Sequence, residues 1–221
     1  MNVNGQRLTR RESQQLTRVK LIEAAERVFV RAGFDASSVE QIAEEAGFSR
    51  GAFYSNFESK DDLFLALLDK KRIETQNALD NIFLEKKDGH ARFRAARDWY
   101  ADQWQQRTWT VLKTEFNLRA LRKRALRKRL SALWQQEVEA YSALLAQYFL
   151  EAGIKPAESP QTIAVSLLAA AQGLGMLSLL GSDSALESTI AESRKLAFDR
   201  LVLNPSHEAP SRNRRDCNEK G

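Results

Sequence analysis

The chain has 221 residues, 43% hydrophobic and 29% charged, a mixture too apolar for a disordered protein and long enough for one medium core or two small ones. Leu and Ala number 57 against 16 for Val and Ile, and all four prolines lie beyond residue 155, so composition indicates an all-α fold and argues against a β-sandwich or barrel. The net charge of +5 fits a nucleic-acid partner without requiring one, while the single cysteine, Cys217, and two distant histidines, His90 and His207, offer no disulfide framework and no ligand-spaced metal site.

The first 16 residues are polar and basic with no apolar stretch of a secretion signal, so a cytoplasmic location is expected. Apolar periodicity predicts nine helices, at 10–32, 38–46, 49–57, 60–87, 90–106, 109–120, 124–152, 160–181 and 184–203. Gly33, Gly47, Gly89, Gly153 and Gly181 each follow a periodic run, where a left-handed C-terminal cap would stand. Thr9 with Glu12, Ser37 with Glu40, and Ser59 with Asp62 have the hydroxyl-to-carboxylate spacing of a capping box. A boundary falls near Phe57 to Ser59. The piece before it holds only a marginal core and must pack against the long helix that follows. From Pro205 onward the chain is polar and charge-mixed, and a disordered tail is expected there.

Ser159 to Ser182 is 24 residues without a charge, long enough to span a bilayer. Gln161, Thr162, Ser166, Gln172 and Ser178 inside it, and flanks without a basic cluster, argue against a membrane. A soluble helix apolar all round must be covered all round. Ala169, Ala170, Ala171, Gly173 and Gly175 keep its surface small, so pairing with its own copy and with 184–203 of a second subunit is expected, giving a two-fold homodimer. A central helix of a monomeric bundle is the alternative.

The chemistry concentrates between residues 38 and 57. Val39, Ile42, Ala43 and Ala46 recur at i, i+3, i+4 and i+7, one buried stripe. Ala43 allows two helices to cross closely, Gly47 supplies a tight turn and Phe53 plugs the next helix into the core, which together make a helix-turn-helix. With Phe53 and Phe57 inward, the opposite face presents Ser49, Arg50, Ala52, Tyr54, Ser55 and Asn56. Arg50 has the donors for a guanine edge, Ala52 the methyl for thymine, and the hydroxyls and amides suit phosphates. An ordinary helical hairpin with a solvated polar face would show the same short pattern. The basic arm of Arg7, Arg10, Arg11, Arg18 and Lys20, opposed only by Glu12, either adds backbone contacts or is a frayed, solubilising end.

Residues 17–68, with their AGF, ASSVEQIAEEAG, SRGAFYSNF and SKDDL elements in order, resemble the DNA-binding region of the TetR (tetracycline-repressor) family of bacterial regulators. The resemblance covers the first quarter to third of the chain; beyond it the chain matches only in length and helical character. By position it implies that Arg50, Ala52 and Tyr54 face the groove, and that Thr17, Ser37, Ser38, Ser49, Ser55, Asn56 and Lys60 anchor phosphates. Many relatives carry Lys, Thr and His where this chain has Arg50, Ala52 and Ser55, which leaves the operator sequence open. The resemblance further implies a DNA-binding domain over 1–58, a helical effector-binding and dimerisation domain over 59–204, and the tail at 205–221.

In the larger part aromatics gather on a few faces, as core or as an apolar pocket between helices. As effector pocket we expect Tyr100, Gln103, Trp104, Phe116, Trp134, Tyr141, Gln172 and Met176, on faces with few charges, for a flat or greasy small molecule. Arg119 to Arg129 carries seven basic residues and no acid: a solvated face, a nonspecific phosphate contact or a lure for an anionic effector. No nucleophile with its base and no Glu-x-x-His ligand pair stands out, so neither catalysis nor a cofactor is expected. The sequence reads as a dimeric, ligand-responsive regulator, most simply a repressor released from a palindromic operator by its effector. A constitutive architectural DNA protein and a helical-bundle enzyme are the rivals.

Overall fold

A computed structural model describes residues 9–86, 88–102, 107–181 and 184–203. Among these the chain forms nine helices and no strand: α1 (Arg10–Ala32), α2 (Val39–Glu45), α3 (Arg50–Tyr54), α4 (Lys60–Glu85), α5 (Gly89–Asp102), α6 (Arg107–Leu121), α7 (Arg124–Ala152), α8 (Pro160–Leu180) and α9 (Ser184–Leu203). Their starts are chemically marked. Thr9 and Glu12 form a reciprocal capping box on α1, and the Ser59 hydroxyl accepts from the Asp62 amide to open α4. Ser159 caps α8, with Pro160 in the first turn, where its missing N–H costs nothing.

Three expected marks differ. The cap of α2 is Ser38 with Gln41, one residue beyond the expected Ser37 with Glu40; Ser37 is buried, and its hydroxyl donates to the Phe34 carbonyl at 2.7 Å. Gly33, Gly47 and Gly153 have positive φ, whereas Gly89 opens α5 behind the Asp88 carboxylate, and Gly181 has an ordinary φ of −78°. A Cβ at Gly181 would stand 2.9 Å from the Leu186 Cδ2 methyl, the movable end of an exposed side chain. The expected disordered tail and residues 103–106 of the expected fifth helix lie outside the described residues.

Two apolar clusters organise the molecule. The first joins α1, α2, α3 and the start of α4 to α6 and the start of α7. Its centre is a knot of rings: Phe34 lies 5.3 Å from Phe29, 5.1 Å from Phe64 and 5.3 Å from Phe116, and Phe64 stacks on Phe116 at 4.3 Å. The second joins α5, the far half of α7, α8 and α9. Because α4 contributes Phe64 and Leu67 to the first cluster and packs Phe83 against the second, it runs the length of both. The core that holds α1–α3 therefore continues past residue 58, as so short a segment needs.

Three of the seven basic residues in the Arg119–Arg129 run are spent on this junction, while Arg122, Arg124, Arg127 and Lys128 are exposed. Arg119 and Lys123 grip the Asp61 carboxylate at 2.7 and 2.8 Å, and Arg129 pairs with Asp62, so the first turn of α4 is pinned from α6 and α7. Burial alone would push the Asp61 carboxyl up, but the hydrogen bonds from Lys123 and Arg119 outweigh it and hold the group below its ordinary value. α8 is long and apolar enough to cross a membrane by length and composition, and a third of its most apolar stretch is buried within the protomer. On its remaining surface Val165, Ala169, Gly173 and Leu177 recur every four residues.

Two outcomes follow for stability. A lowered Asp61 pKa contributes stability above the ordinary carboxylate range and loses it as pH falls through the lowered value. Denaturant titrations from neutral pH to about pH 3 should therefore show the gap between wild type and Asp61→Asn closing on acidification; a constant gap would contradict the clamp. Gly47→Ala meets no atom within 4 Å but forces a φ of 74° on a residue with a Cβ. It should cost about 1–2 kcal/mol in the same assay, while Gly89→Ala, also uncrowded and at ordinary φ, should cost nothing measurable.

Candidate nucleic-acid interface and interior cavity

The corner between α2 and α3 is built by backbone. The Gly47 amide donates to the Glu44 carbonyl at 2.9 Å and the Phe48 amide to the Ala43 carbonyl at 2.8 Å, turning the chain within two residues. The Ser49 hydroxyl accepts from the Ala52 amide and caps α3, and fully buried Phe53 with nearly buried Phe57 fix which face is left outward. That face shows Ser49, Arg50, Tyr54 and Ser55 exposed and Ala52 and Asn56 half-buried. The Arg50 guanidinium lies 2.9 Å from the Glu40 carboxylate and 5.5 Å from the centre of the Tyr54 ring. Both groups are exposed, so the pair costs little to open when a base edge competes for the donors.

The residues expected to anchor phosphates divide by what they already bond. Ser38 and Ser49 cap helices, and their half-buried or exposed positions border the reading face. Ser55 and Asn56 both donate to the Ala52 carbonyl, at 2.9 and 2.8 Å, and Thr17 donates to the Ser13 carbonyl at 2.9 Å. Ser37 is buried, and the Lys60 ammonium donates to the carbonyls of Phe34, Asp35 and Ser37 at 2.6, 3.3 and 2.7 Å. Lys60 thus spends its donors on the loop between α1 and α2, and burial pushes its pKa down. In this structure Ser37 and Lys60, both expected as phosphate anchors, brace the loop between α1 and α2.

Two α1 residues that the sequence reading did not assign to α3 hold it in place. Gln14 donates to the Ser55 carbonyl at 3.4 Å; Arg18 donates to the Asn56 carbonyl at 2.9 Å and lies 4.2 Å over the Phe57 ring. Arg18, expected in the basic arm, is a side chain that satisfies the orphan carbonyls after α3. Of that arm, Arg7 lies outside the described residues.

Behind this interface, α4, α5, α6, α7, α8 and α9 enclose a cavity of about 370 Å³. Tyr100, Trp134 and Tyr141 of the expected pocket line it. Phe116 does not: it is fully buried in the ring knot. Gln172 and Met176 also lie off the lining, the latter with its sulfur 3.1 Å from the Thr114 hydroxyl, and Gln103 and Trp104 lie outside the described residues. The Tyr100 hydroxyl donates to the Leu167 carbonyl at 2.7 Å, and burial pushes its pKa up to about 12; burial pushes Tyr141 up as well.

The sequence reading missed all six charged residues on this lining, Lys71, Arg72, Glu74, Arg92, Lys113 and Glu137, of which the last two are the most deeply placed. Both lie deep among neighbours, so burial pushes Lys113 down and Glu137 up, each against the other's opposing charge. α6 sets Trp109, Lys113 and Asn117 on the cavity at four-residue spacing. One step around the same helix, Glu115 accepts from the Phe34 amide at 3.1 Å and Phe116 stacks on Phe64. Among the described residues no cluster of His, Cys, Asp and Glu could hold a metal ion.

Residues 21–67 match the family described as bacterial regulatory proteins, tetR family. The chain is 28% identical over 193 residues to YfiR of Bacillus subtilis, described as an uncharacterized HTH-type transcriptional regulator, covering 84% of this chain and 92% of that one. It is 48% identical over 63 residues to the HTH-type transcriptional regulator TtgR of Pseudomonas putida, over 28% of this chain and 30% of TtgR. Its fold is similar to that of the transcriptional regulator FadR from Bacillus subtilis, solved in complex with stearoyl-CoA, with a TM-score of 0.61 and 15% identity over 83% of this chain and 97% of that one. Residues 21–67 are thus a DNA-binding region of the tetR family of bacterial regulatory proteins, and the chain is similar along most of its length to HTH-type transcriptional regulators.

Proposed function

We propose that this regulator is a cytoplasmic repressor that leaves a palindromic operator when a small hydrophobic effector fills the cavity. Residues 1–58 bind DNA, and 59–204 bind the effector and form the dimer. One observation carries the reading: α4 and α6 each contribute to the cavity wall and to the core that seats the helix-turn-helix. An effector that reshapes the wall cannot leave the seat unchanged, because packed side chains rearrange between discrete states. Its affinity must be lower in the DNA-bound spacing of the two reading helices than in another spacing, or it shifts nothing. The bound stearoyl-CoA in FadR supports an effector role for the helical part. The exposed small-residue stripe on α8, with Leu186 and Leu196 of α9 also exposed, supports the two-fold interface that a palindrome requires.

At the groove, Arg50 reads a guanine through two donors while Ala52 and Tyr54 contact neighbouring bases; Thr17, Ser38, Ser49, Ser55 and Asn56 border the phosphates. Selection from a random duplex pool should enrich a two-fold symmetric sequence. Arg50→Ala should then lose about 1–3 kcal/mol of discrimination at one guanine per half-site while its affinity for random competitor stays near that of wild type. Equal weakening on every duplex would make Arg50 a phosphate contact. Failure of the wild type to enrich any sequence would remove the repressor reading.

A further inference from the structure

The cavity has two unlike ends. Toward the DNA-binding core its wall mixes apolar side chains such as Trp109, Leu133 and Trp134 with the cavity's charged and amide groups: Lys71, Arg72 and Glu74 on α4, Lys113 and Asn117 on α6, and Glu137 on α7. Toward the second cluster it is almost wholly apolar, lined by side chains such as Phe83, Phe93, Leu145, Tyr148 and Phe198. A ligand that fills both ends is an amphiphile, with its head one helical turn from the ring knot and its body among the aromatics.

The charges at the polar end are matched within the protein. Lys71 reaches Glu26 at 2.5 Å and Glu74 at 3.2 Å, and Arg72 reaches Asp69 at 2.7 Å. Arg92, on the wall nearer the apolar end, pairs with Glu151. Burial pushes Glu137 up and Lys113 down, and each shift is opposed by the other's charge, with Arg72 adding to the opposition at Glu137. A net charge brought into such a site sheds its hydration and meets no surplus of opposite charge, so its desolvation is not repaid. In any protonation state, however, Lys113 and Glu137 together present both a donor and an acceptor to the cavity.

Building on the effector reading above, we propose that the effector is an uncharged amphiphile whose hydroxyl or comparable head both donates and accepts, held between Lys113 and Glu137 with an aromatic or hydrocarbon body beyond it. The two side chains then act as opposed charge filters. Lys113 penalises cations, Glu137 penalises anions, and only a neutral head escapes both.

Calorimetric titration of the full-length protein with 2-naphthylmethanol, 2-naphthoate and 2-naphthylmethylamine compares one body with a neutral, an anionic and a cationic head. Wild type should bind the alcohol at least tenfold tighter than either ion. Lys113→Met should shift the preference toward the amine and Glu137→Gln toward the carboxylate, each by tenfold or more relative to the alcohol. Lys113→Met/Glu137→Gln should restore the neutral preference with weaker binding, since a purely structural role would move all three probes together. Thermal unfolding of each variant verifies folding, and the wild-type ranking stands as a test if a variant fails to fold. A wild type that prefers an ion, or folded single variants with unchanged ranking, would overturn the inference and leave the cavity as an effector site. Binding of none of the three by wild type would overturn the effector reading with it.

Discussion

The structure depends on the packing of Phe34, Phe64 and Phe116 where the loop after α1, the first turns of α4 and the middle of α6 meet. The three side chains are fully buried, and removing one such ring from a core costs about 3–5 kcal/mol, a large part of a domain's stability. The loop that carries Phe34 cannot drift from the knot. Its amide is held by Glu115 and its carbonyl by Lys60, while Arg119 and Lys60 lie over its ring. The helix-turn-helix is therefore seated by a few side chains of α4 and α6, and whatever moves those helices moves α3.

A division of labour among charged residues accompanies this seat. Lys60, Arg18, Arg119 and Lys123 would each look like a phosphate ligand on a basic surface, yet each donates to a carbonyl or carboxylate of the protein. Arg50 differs in being exposed beside an equally exposed Glu40, so opening that contact removes little burial. Net charge thus describes the DNA-binding part poorly. Several cations at the seat hold the frame, so charge alone does not say which ones meet a duplex.

Much of this was legible in the sequence where local chemistry decides. Helix starts followed Thr9, Ser59 and Pro160, whose caps act within three residues, and the corner at Gly47 followed from a turn that needs positive φ. Legibility failed where distance decides. Ser37 and Ser38 offer the same hydroxyl, and only the burial of one against Phe34 gives the cap to the other. Phe116 shares the composition of a pocket residue, but the crossing of α4 and α6 turns it into the knot instead. Lys113 and Glu137 are not singled out by sequence, since nothing within one turn of either reveals that distant helices close a cavity around them.

Coupling between the reading helix and the cavity wall through the ring knot is the claim on which the rest stands. Amide hydrogen exchange, with and without a duplex carrying the selected operator, tests it most directly. The account predicts slower exchange along α6 from Trp109 to Ala120 on DNA binding, although the proposed contacts on the duplex come from α1–α3. Slowing confined to α1–α3, with α6 unchanged, would contradict it.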